Sequence, residues 1–263
     1  MWKKELDVAN EAARAAGGIL NRMFGKINHI MKKGDIDLVT EADLEAEKAI
    51  LHIIRRNFPH DNILSEESGK HNETSNRTWL IDPLDGTTNF AHGFPIFAVS
   101  IALEIERQIL LGIVHNPYMN EHFEAIKGKG ACLNKKPLKV SKTRTLKESL
   151  LATGFPYDIH DNPQRILRFF REIIIRAQGV RRPGSAALDL CYVAAGRFDG
   201  FWEEGLKPWD TAAGMILVTE AGGKLTTFEG EPYSPYMKNI IAANPFIYDE
   251  MKEVLGKTNN QLT

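Results

Sequence analysis

The chain has 263 residues, 43% hydrophobic and 25% charged, with 33 basic side chains against 34 acidic ones and a net charge of −1. That length can bury a sizeable core, and the balanced charge argues against a dedicated nucleic-acid or membrane-surface protein. Two cysteines, Cys132 and Cys191, stand far apart in no CxxC pattern, which argues against a disulfide framework and fits a reducing cytoplasm. The opening MWKKELDVANEAARAAGG does not read as a signal peptide, and no run approaches the roughly 20 apolar residues of a membrane span.

Leu6, Ala9, Ala13, Ala16, Leu20, Met23 and Phe24 recur at helical spacing and predict a helix over 2–24. Residues 27–40 read as two short extended pieces around a Gly34-Asp35 turn, and Ala42, Ala46, Ala49, Ile50, Ile53 and Ile54 mark a helix over 40–57. Pro59 stops that helix, and NILSEESG gives a short strand entering a polar loop. From 79 to about 140 the pattern is mostly strand: WLID, IFAVSIALEI, QILLGIVHN and EHFEAIKG are β-branched or aromatic, broken by Gly, Pro and Asn.

Residues 163–178 return to helix, followed by a helix in AALDLCYVAAG, a strand in FDGFWE and a helix in DTAAGMILVTEAGG. KLTTFEG and NIIAANP read as late strands, FIYDEMKEVLGK as the last helix, and the polar tail after Lys257 as frayed. Such blocks suggest helices layered with sheets, as an α+β or layered α/β fold. No repeat or low-complexity linker divides residues 1–263, which read as one domain with a candidate internal boundary near 140–150 (SKTRTLKES).

The chemistry concentrates in WLIDPLDGTTNFAH, residues 79–92. Asp82 and Asp85 end an apolar run, where acids are poorly solvated and repel each other unless a cation sits between them. Asp-Gly is also turn chemistry, but Asp82 follows Trp-Leu-Ile, at the buried end of the strand. The Gly-Thr-Thr that follows offers N–H groups and hydroxyls suited to an anion. With no Cys or His at ligand spacing, the ion suited to this all-oxygen set is Mg²⁺ or Mn²⁺ rather than zinc.

Two further segments carry weaker signals. In KPWDTAAGMILVTEAGG, Asp210 fits either a helix N-cap or one more carboxylate for an ion; in RRPGSAALDL, Gly184-Ser185-Ala186 fits a Ser-initiated helix or a seat for an anion or sugar hydroxyl. Asp43 lies three residues after Thr40 and fits a capping box. Glu66 and Glu67, taken alone, fit solvated surface charges. His115 and His122 match no ligand spacing and read as structural or surface residues. No Walker A loop, GxGxxG or serine-hydrolase pairing is present.

In chain order these segments resemble the inositol monophosphatase family, the Mg²⁺-dependent, lithium-sensitive sugar-phosphatase superfamily. WLIDPLDGTTNFAH is similar to its first motif and WDTAAGMILVTEAGG to its second, with DLVTEAD, SEES and GSAALDL in supporting positions across residues 37 to 223. The resemblance implies a layered αβαβα sandwich and a cytoplasmic homodimer that binds two or three Mg²⁺ ions, with Mn²⁺ as a substitute. It makes Glu66, Asp82, Asp85 and the Leu84 carbonyl metal ligands, with Asp210 joining Asp82 and Asp85 around a second ion. Glu66 and Thr87, backed by Asp43, would orient the attacking water.

The same resemblance has Gly86 and Thr87 bind phosphate through backbone N–H groups. Gly184, Ser185, Ala186 and Glu203 would contact sugar or cyclitol hydroxyls, and Asp85 and Asp210 would also reach the substrate. Glu203, seven residues before Asp210, fits the hydroxyl contact by spacing, with Glu204 beside it. The implied reaction is hydrolysis of an inositol monophosphate. Fructose 1,6-bisphosphate and 3′-phosphoadenosine substrates are the alternatives within the superfamily. A regulatory binding protein of the transcription machinery is the alternative of another class.

Overall fold

The computed structural model describes residues 2–26, 30–32, 38–71, 75–156, 159–161 and 163–261; the expected turn at Gly34-Asp35 lies outside them. Helices α1 (Lys3–Met23) and α2 (Glu41–Asn57) are joined through an antiparallel pair, β1 (Ile30–Lys32) and β2 (Leu38–Thr40). Then come β3 (Asn62–Ser65), β4 (Gly69–His71), β5 (Arg77–Asp85) and a short helix α3 (Thr87–Ala91). β6 (Ala98–Ile105), β7 (Gln108–Asn116), β8 (Glu121–Ile126), β9 (Gly130–Leu133) and β10 (Lys136–Pro137) complete an eight-stranded sheet of order β10-β9-β8-β7-β6-β5-β3-β4.

Between Pro137 and Leu150 the chain crosses to a second sheet, through the segment where its composition shifts. This half contains β11 (Leu150–Thr153), α4 (Pro163–Ile174), β12 (Gly179–Arg181), α5 (Ala186–Ala194) and β13 (Gly200–Glu204). It ends with α6 (Pro208–Glu220), β14 (Lys224–Thr226), β15 (Asn239–Ala243) and α7 (Tyr248–Asn260). The five strands take the order β12-β11-β13-β15-β14.

Three apolar cores define five layers. α1 and α2 pack their alanine and isoleucine stripes on one face of the large sheet, through Ala13, Ile50, Trp79 and Ile101. α5 and α6 fill the space between the sheets, through Leu190, Leu217, Phe123 and Phe201. α4 and α7 cover the outer face of the small sheet, through Phe169, Met251, Trp202 and Ile241. The result is the αβαβα sandwich. α5 and α6 are apolar all round because both of their faces meet a sheet, which is why they show little amphipathic pattern. Small residues permit the fit: a Cβ on Gly112 of β7 would lie 2.7 Å from the Ala213 Cα, and one on Gly214 would lie 2.5 Å from the Leu190 Cβ.

The structure adds elements that the sequence pattern did not mark. β4, β10 and β12 are two or three residues long, too short to show alternation, and β11 begins at the end of the segment read as a boundary. As far as Gln261 the tail after Lys257 is not frayed as expected. α7 continues to Asn260, Thr258 and Asn259 are buried, and Arg165 Nη2 donates to Asn259 Oδ1 at 2.6 Å.

His115 and His122 form a buried ring pair, centroids 5.0 Å apart, where β7 and β8 meet α1. Gly17 admits the His115 ring: a Cβ there would lie 2.6 Å from His115 Cδ2. His122 Nε2 bonds Asn10 Oδ1. Burial, then the neighbouring His115 and Arg14, lowers the His122 pKa from 6.5 to about 3. The neutral ring therefore stabilises the fold above 6.5, and this contribution is lost as pH falls, because the unfolded chain takes up the proton first. The stability difference between wild type and His122→Phe should shrink by about 1.4 kcal/mol per pH unit between pH 6 and 4. Urea unfolding at each pH measures it; a constant difference would contradict the assignment.

Candidate active site

The two aspartates sit where a strand is forced to break. β5 pairs with β6 in register as far as Asp82↔Ser100, then shifts before Asp85↔Ala98. Pro83 has no N–H to continue the ladder, so the strand bulges and both acids reach the cavity. Asp82 is 2% exposed, and its Oδ1 accepts from Leu84 N at 2.9 Å. Gly86 follows with φ 92°, and a Cβ there would lie 2.9 Å from the Ile96 carbonyl oxygen, so both conformation and space favour glycine. Thr87 starts α3.

Asp43 combines its two sequence readings. Its Oδ2 accepts from Thr40 N at 2.8 Å and Thr40 Oγ1 at 2.6 Å, which is the capping box. Its Oδ1 accepts from Thr87 Oγ1 at 3.0 Å. The start of α2 is thereby tied to the turn after β5. Burial raises the Asp43 pKa from 3.8 to about 6, against the opposing hydrogen bonds of Thr40 and Thr87.

Glu66 follows β3, and its N–H bonds the Ile81 carbonyl at 3.1 Å, which brings it beside the end of β5. Glu47, one helical turn beyond Asp43, secures that loop: its Oε1 accepts from Ser65 Oγ and from Ser68 N at 3.0 Å. Asp210 is not the N-cap of α6. Lys207 is, with Pro208 in the first turn, whose fixed φ suits a helix start. Asp210 lies three positions deeper than expected and accepts from Lys207 N at 2.7 Å.

Ser185 caps α5, but that N-terminus does not stand open to an outside anion. Asp85 Oδ2 accepts from Ser185 Oγ at 2.5 Å and from Ala187 N at 2.8 Å. The metal-type motif and the helix of the third segment are therefore joined directly. Glu203 on β13 is buried, and a Cβ on Gly154 would lie 2.2 Å from its carboxylate oxygens. The next residue, Glu204, is paired with Arg165 at 2.7 Å.

These groups line one cavity of about 270 Å³: Glu66, Asp82, Leu84, Asp85, Gly86 and Thr87 on one side, Gly184, Ser185, Ala186, Glu203 and Asp210 on the other. Protein encloses most of this wall. Burial first, then mutual repulsion with Glu66, Asp85 and Asp210, holds Asp82 well above the usual carboxylate range. Burial, then Asp85, does the same to Asp210. Burial raises Asp85 to about 6 despite the Ser185 and Ala187 bonds.

Asp82, Asp85 and Asp210, with no lysine or arginine salt bridge among the described residues, fit together with Glu66 a hard divalent cation, which prefers oxygen ligands. As the side chains lie, no three described His, Cys, Asp or Glu groups stand close enough to enclose an ion. Asp82, Asp85 and Asp210 each spend one oxygen on hydrogen bonds within the chain, which anchors the carboxylates while their charges repel.

Sequence reasoning assigned no role to Asn89, Glu47, Gly154 or Asp189. Asn89 Nδ2 donates to the Ile96 carbonyl at 2.7 Å and the Pro183 carbonyl at 2.8 Å, stapling the first motif to the third segment. Glu47 shares the Asp43 side of α2, a signal visible in the i, i+4 spacing. Asp189 and Gly154 belong to the cavity wall only through tertiary packing.

The inositol monophosphatase family model matches residues 1–262 of the chain. An inositol-1-monophosphatase of Synechocystis sp. is 46% identical over 255 residues, which are 96% of this chain and 89% of that protein. The Nus factor SuhB of Salmonella typhimurium is 42% identical over 261 residues, 98% of this chain and 97% of that protein. The crystal structure of extragenic suppressor protein suhB from Bartonella henselae, 42% identical, matches with a TM-score of 0.92 over 97% of this chain and 99% of that one.

Proposed function

The chain belongs to the inositol monophosphatase family, and from that premise we propose that it hydrolyses myo-inositol 1-phosphate to myo-inositol and phosphate with Mg²⁺. It is a phosphoric monoester hydrolase of a metal-dependent family. The observation that carries the proposal is the convergence of Glu66, Asp82, Asp85 and Asp210 on one cavity beside Gly86-Thr87 and Glu203. Glu66, Asp82, Asp85 and the Leu84 carbonyl would hold one Mg²⁺, and Asp82, Asp85 and Asp210 a second, with Mn²⁺ as a substitute and room for a third ion left open.

When bound, the ions activate a water and neutralise charge on the phosphate. The chain's own groups supply position. Thr87 Oγ1 has Asp43 Oδ1 and the Leu84 carbonyl as acceptors, each at 3.0 Å; with its proton directed to Asp43, its lone pair would accept from a water that Glu66 would hold from the other side. Asp43, with its pKa near 6, is suited to take up the proton that Thr87 relays. Gly86 and Thr87 would bind the phosphate through N–H groups, and Asp85 and Asp210 would border it. Gly184, Ser185, Ala186 and Glu203 would read the hydroxyls of the alcohol. Phosphate-ester hydrolysis asks little covalent chemistry of the protein, so this positioning carries most of the effect.

Comparison of kcat/KM on inositol 1-phosphate, fructose 1,6-bisphosphate and adenosine 3′,5′-bisphosphate tests the substrate. The highest value is expected for inositol 1-phosphate; preference for either bisphosphate overturns the assignment. The same reading includes one catalytic domain, lithium sensitivity, a homodimer and a cytoplasmic location, with no membrane or direct nucleic-acid partner. No described helix is long and apolar enough to cross a membrane, and both cysteines are free. Relatives bearing the name Nus factor SuhB support a second role, binding to the transcription machinery. Capture of such a partner by a catalytically silent variant separates that role from turnover.

A further inference from the structure

Asp189 lies in the apolar run of α5 and is 1% exposed. Its Oδ1 is buried with no hydrogen-bond partner among the described residues. A buried carboxyl oxygen without a partner is costly, and an apolar side chain would suit this helix better. Asp189 also lines the catalytic cavity together with Glu203, Gly154 and Arg182.

The surroundings of Glu203 give that acid a task. The bare Cα of Gly154 lies against both Glu203 oxygens, since a Cβ there would be 2.2 Å from each. Asp189 is a second buried acid on the wall of the same cavity. After burial itself, Glu203 is the largest influence raising the Asp189 pKa, and Arg182 opposes the rise in both acids. Two buried carboxyls that share one cavity wall repel unless a proton lies between them. One member then donates a hydrogen bond and the other accepts.

We propose that Asp189 is a positioning residue for substrate selection: as hydrogen-bond donor to Glu203, it turns the Glu203 carboxyl toward a hydroxyl of the alcohol half of the substrate. The buried, unpartnered Oδ1 would make that bond. The proposal rests on the reading of the site as a polyol-phosphate hydrolase. It adds a requirement for that class: the alcohol carries a hydroxyl that donates to Glu203.

The test compares kcat/KM for inositol 1-phosphate with that for 4-nitrophenyl phosphate, which has no hydroxyl, using Mg²⁺-saturated enzyme. Asp189→Ala should reduce the ratio of the two about tenfold through a higher KM for inositol 1-phosphate, and Asp189→Asn should recover most of it, because the amide N–H donates where the acid did. In a Glu203→Ala background, adding Asp189→Ala should lower the ratio no further. Asp189→Leu, close to the acid in shape and suited to the apolar helix, serves in place of Ala should Ala loosen the fold. Equal losses on both substrates, or losses that multiply in the double variant, overturn the proposal. A wild type that does not favour inositol 1-phosphate refutes the substrate reading instead; a strong wild-type preference that Asp189 variants leave unaltered refutes this inference alone.

Discussion

Asp85→Asn lowers kcat by several orders of magnitude at saturating Mg²⁺ and leaves the fold in place. Asp85 is the proposed ligand of both ions and a proposed substrate contact, so removing its charge should weaken those contacts together. Its structural duty survives the change. The amide oxygen of Asn can still accept from Ser185 Oγ and Ala187 N, the two donors that tie β5 to α5. Steady-state kinetics together with circular dichroism measures both halves of the prediction. Normal Mg²⁺-dependent turnover in the folded variant refutes the ligand assignment.

The second large effect is on stability. Without a cation, burial first and then repulsion from neighbouring acids push the carboxyls of Asp82 and Asp210 well above the usual range. A ligand that binds only the folded state at about 100 times its Kd adds about 2.7 kcal/mol. For a chain of this size that is a rise in Tm of roughly 5–10 °C. Mg²⁺ added to chelator-treated wild type should produce it, and an equal ionic strength of NaCl should not. Asp85→Asn should start from a higher metal-free Tm and gain less from Mg²⁺, because one repelling charge has gone. Thermal unfolding with each salt decides; identical shifts for MgCl₂ and NaCl count against a specific ion site.

Legibility in the sequence followed the range of the forces involved. Asp82 and Asp85 were readable because Pro83 and Gly86 are local signals: one breaks the strand ladder and the other supplies φ 92°. The αβαβα order could be expected from the family resemblance, whereas the residues alone suggested only blocks of helices and sheets. Asp43 was ambiguous for a sound reason, since one oxygen caps α2 and the other reaches Thr87, a partner 44 positions away. Asp210 was misplaced by three positions because Lys207 and Pro208 start the helix earlier than its apolar pattern does.

Other features depend on what folds against them. Asp189 sits within AALDLCYVAA as if it were an exception to the core, and only the approach of β13 and β11 sets it beside Glu203 and Gly154. Ser185 looked open to a substrate anion because the carboxylate that fills its helix end, Asp85, is 100 residues earlier. β11, β12 and the end of α7 likewise owe their order to sheet pairing and to Arg165, not to local pattern.

The central claim is that four carboxylates around one cavity hold divalent cations for phosphate-ester hydrolysis. Phosphate release from inositol 1-phosphate by chelator-treated enzyme, before and after Mg²⁺ is restored, tests it most directly. The account predicts turnover at background without a divalent ion and full recovery with Mg²⁺. Turnover that persists with every divalent ion removed would contradict it.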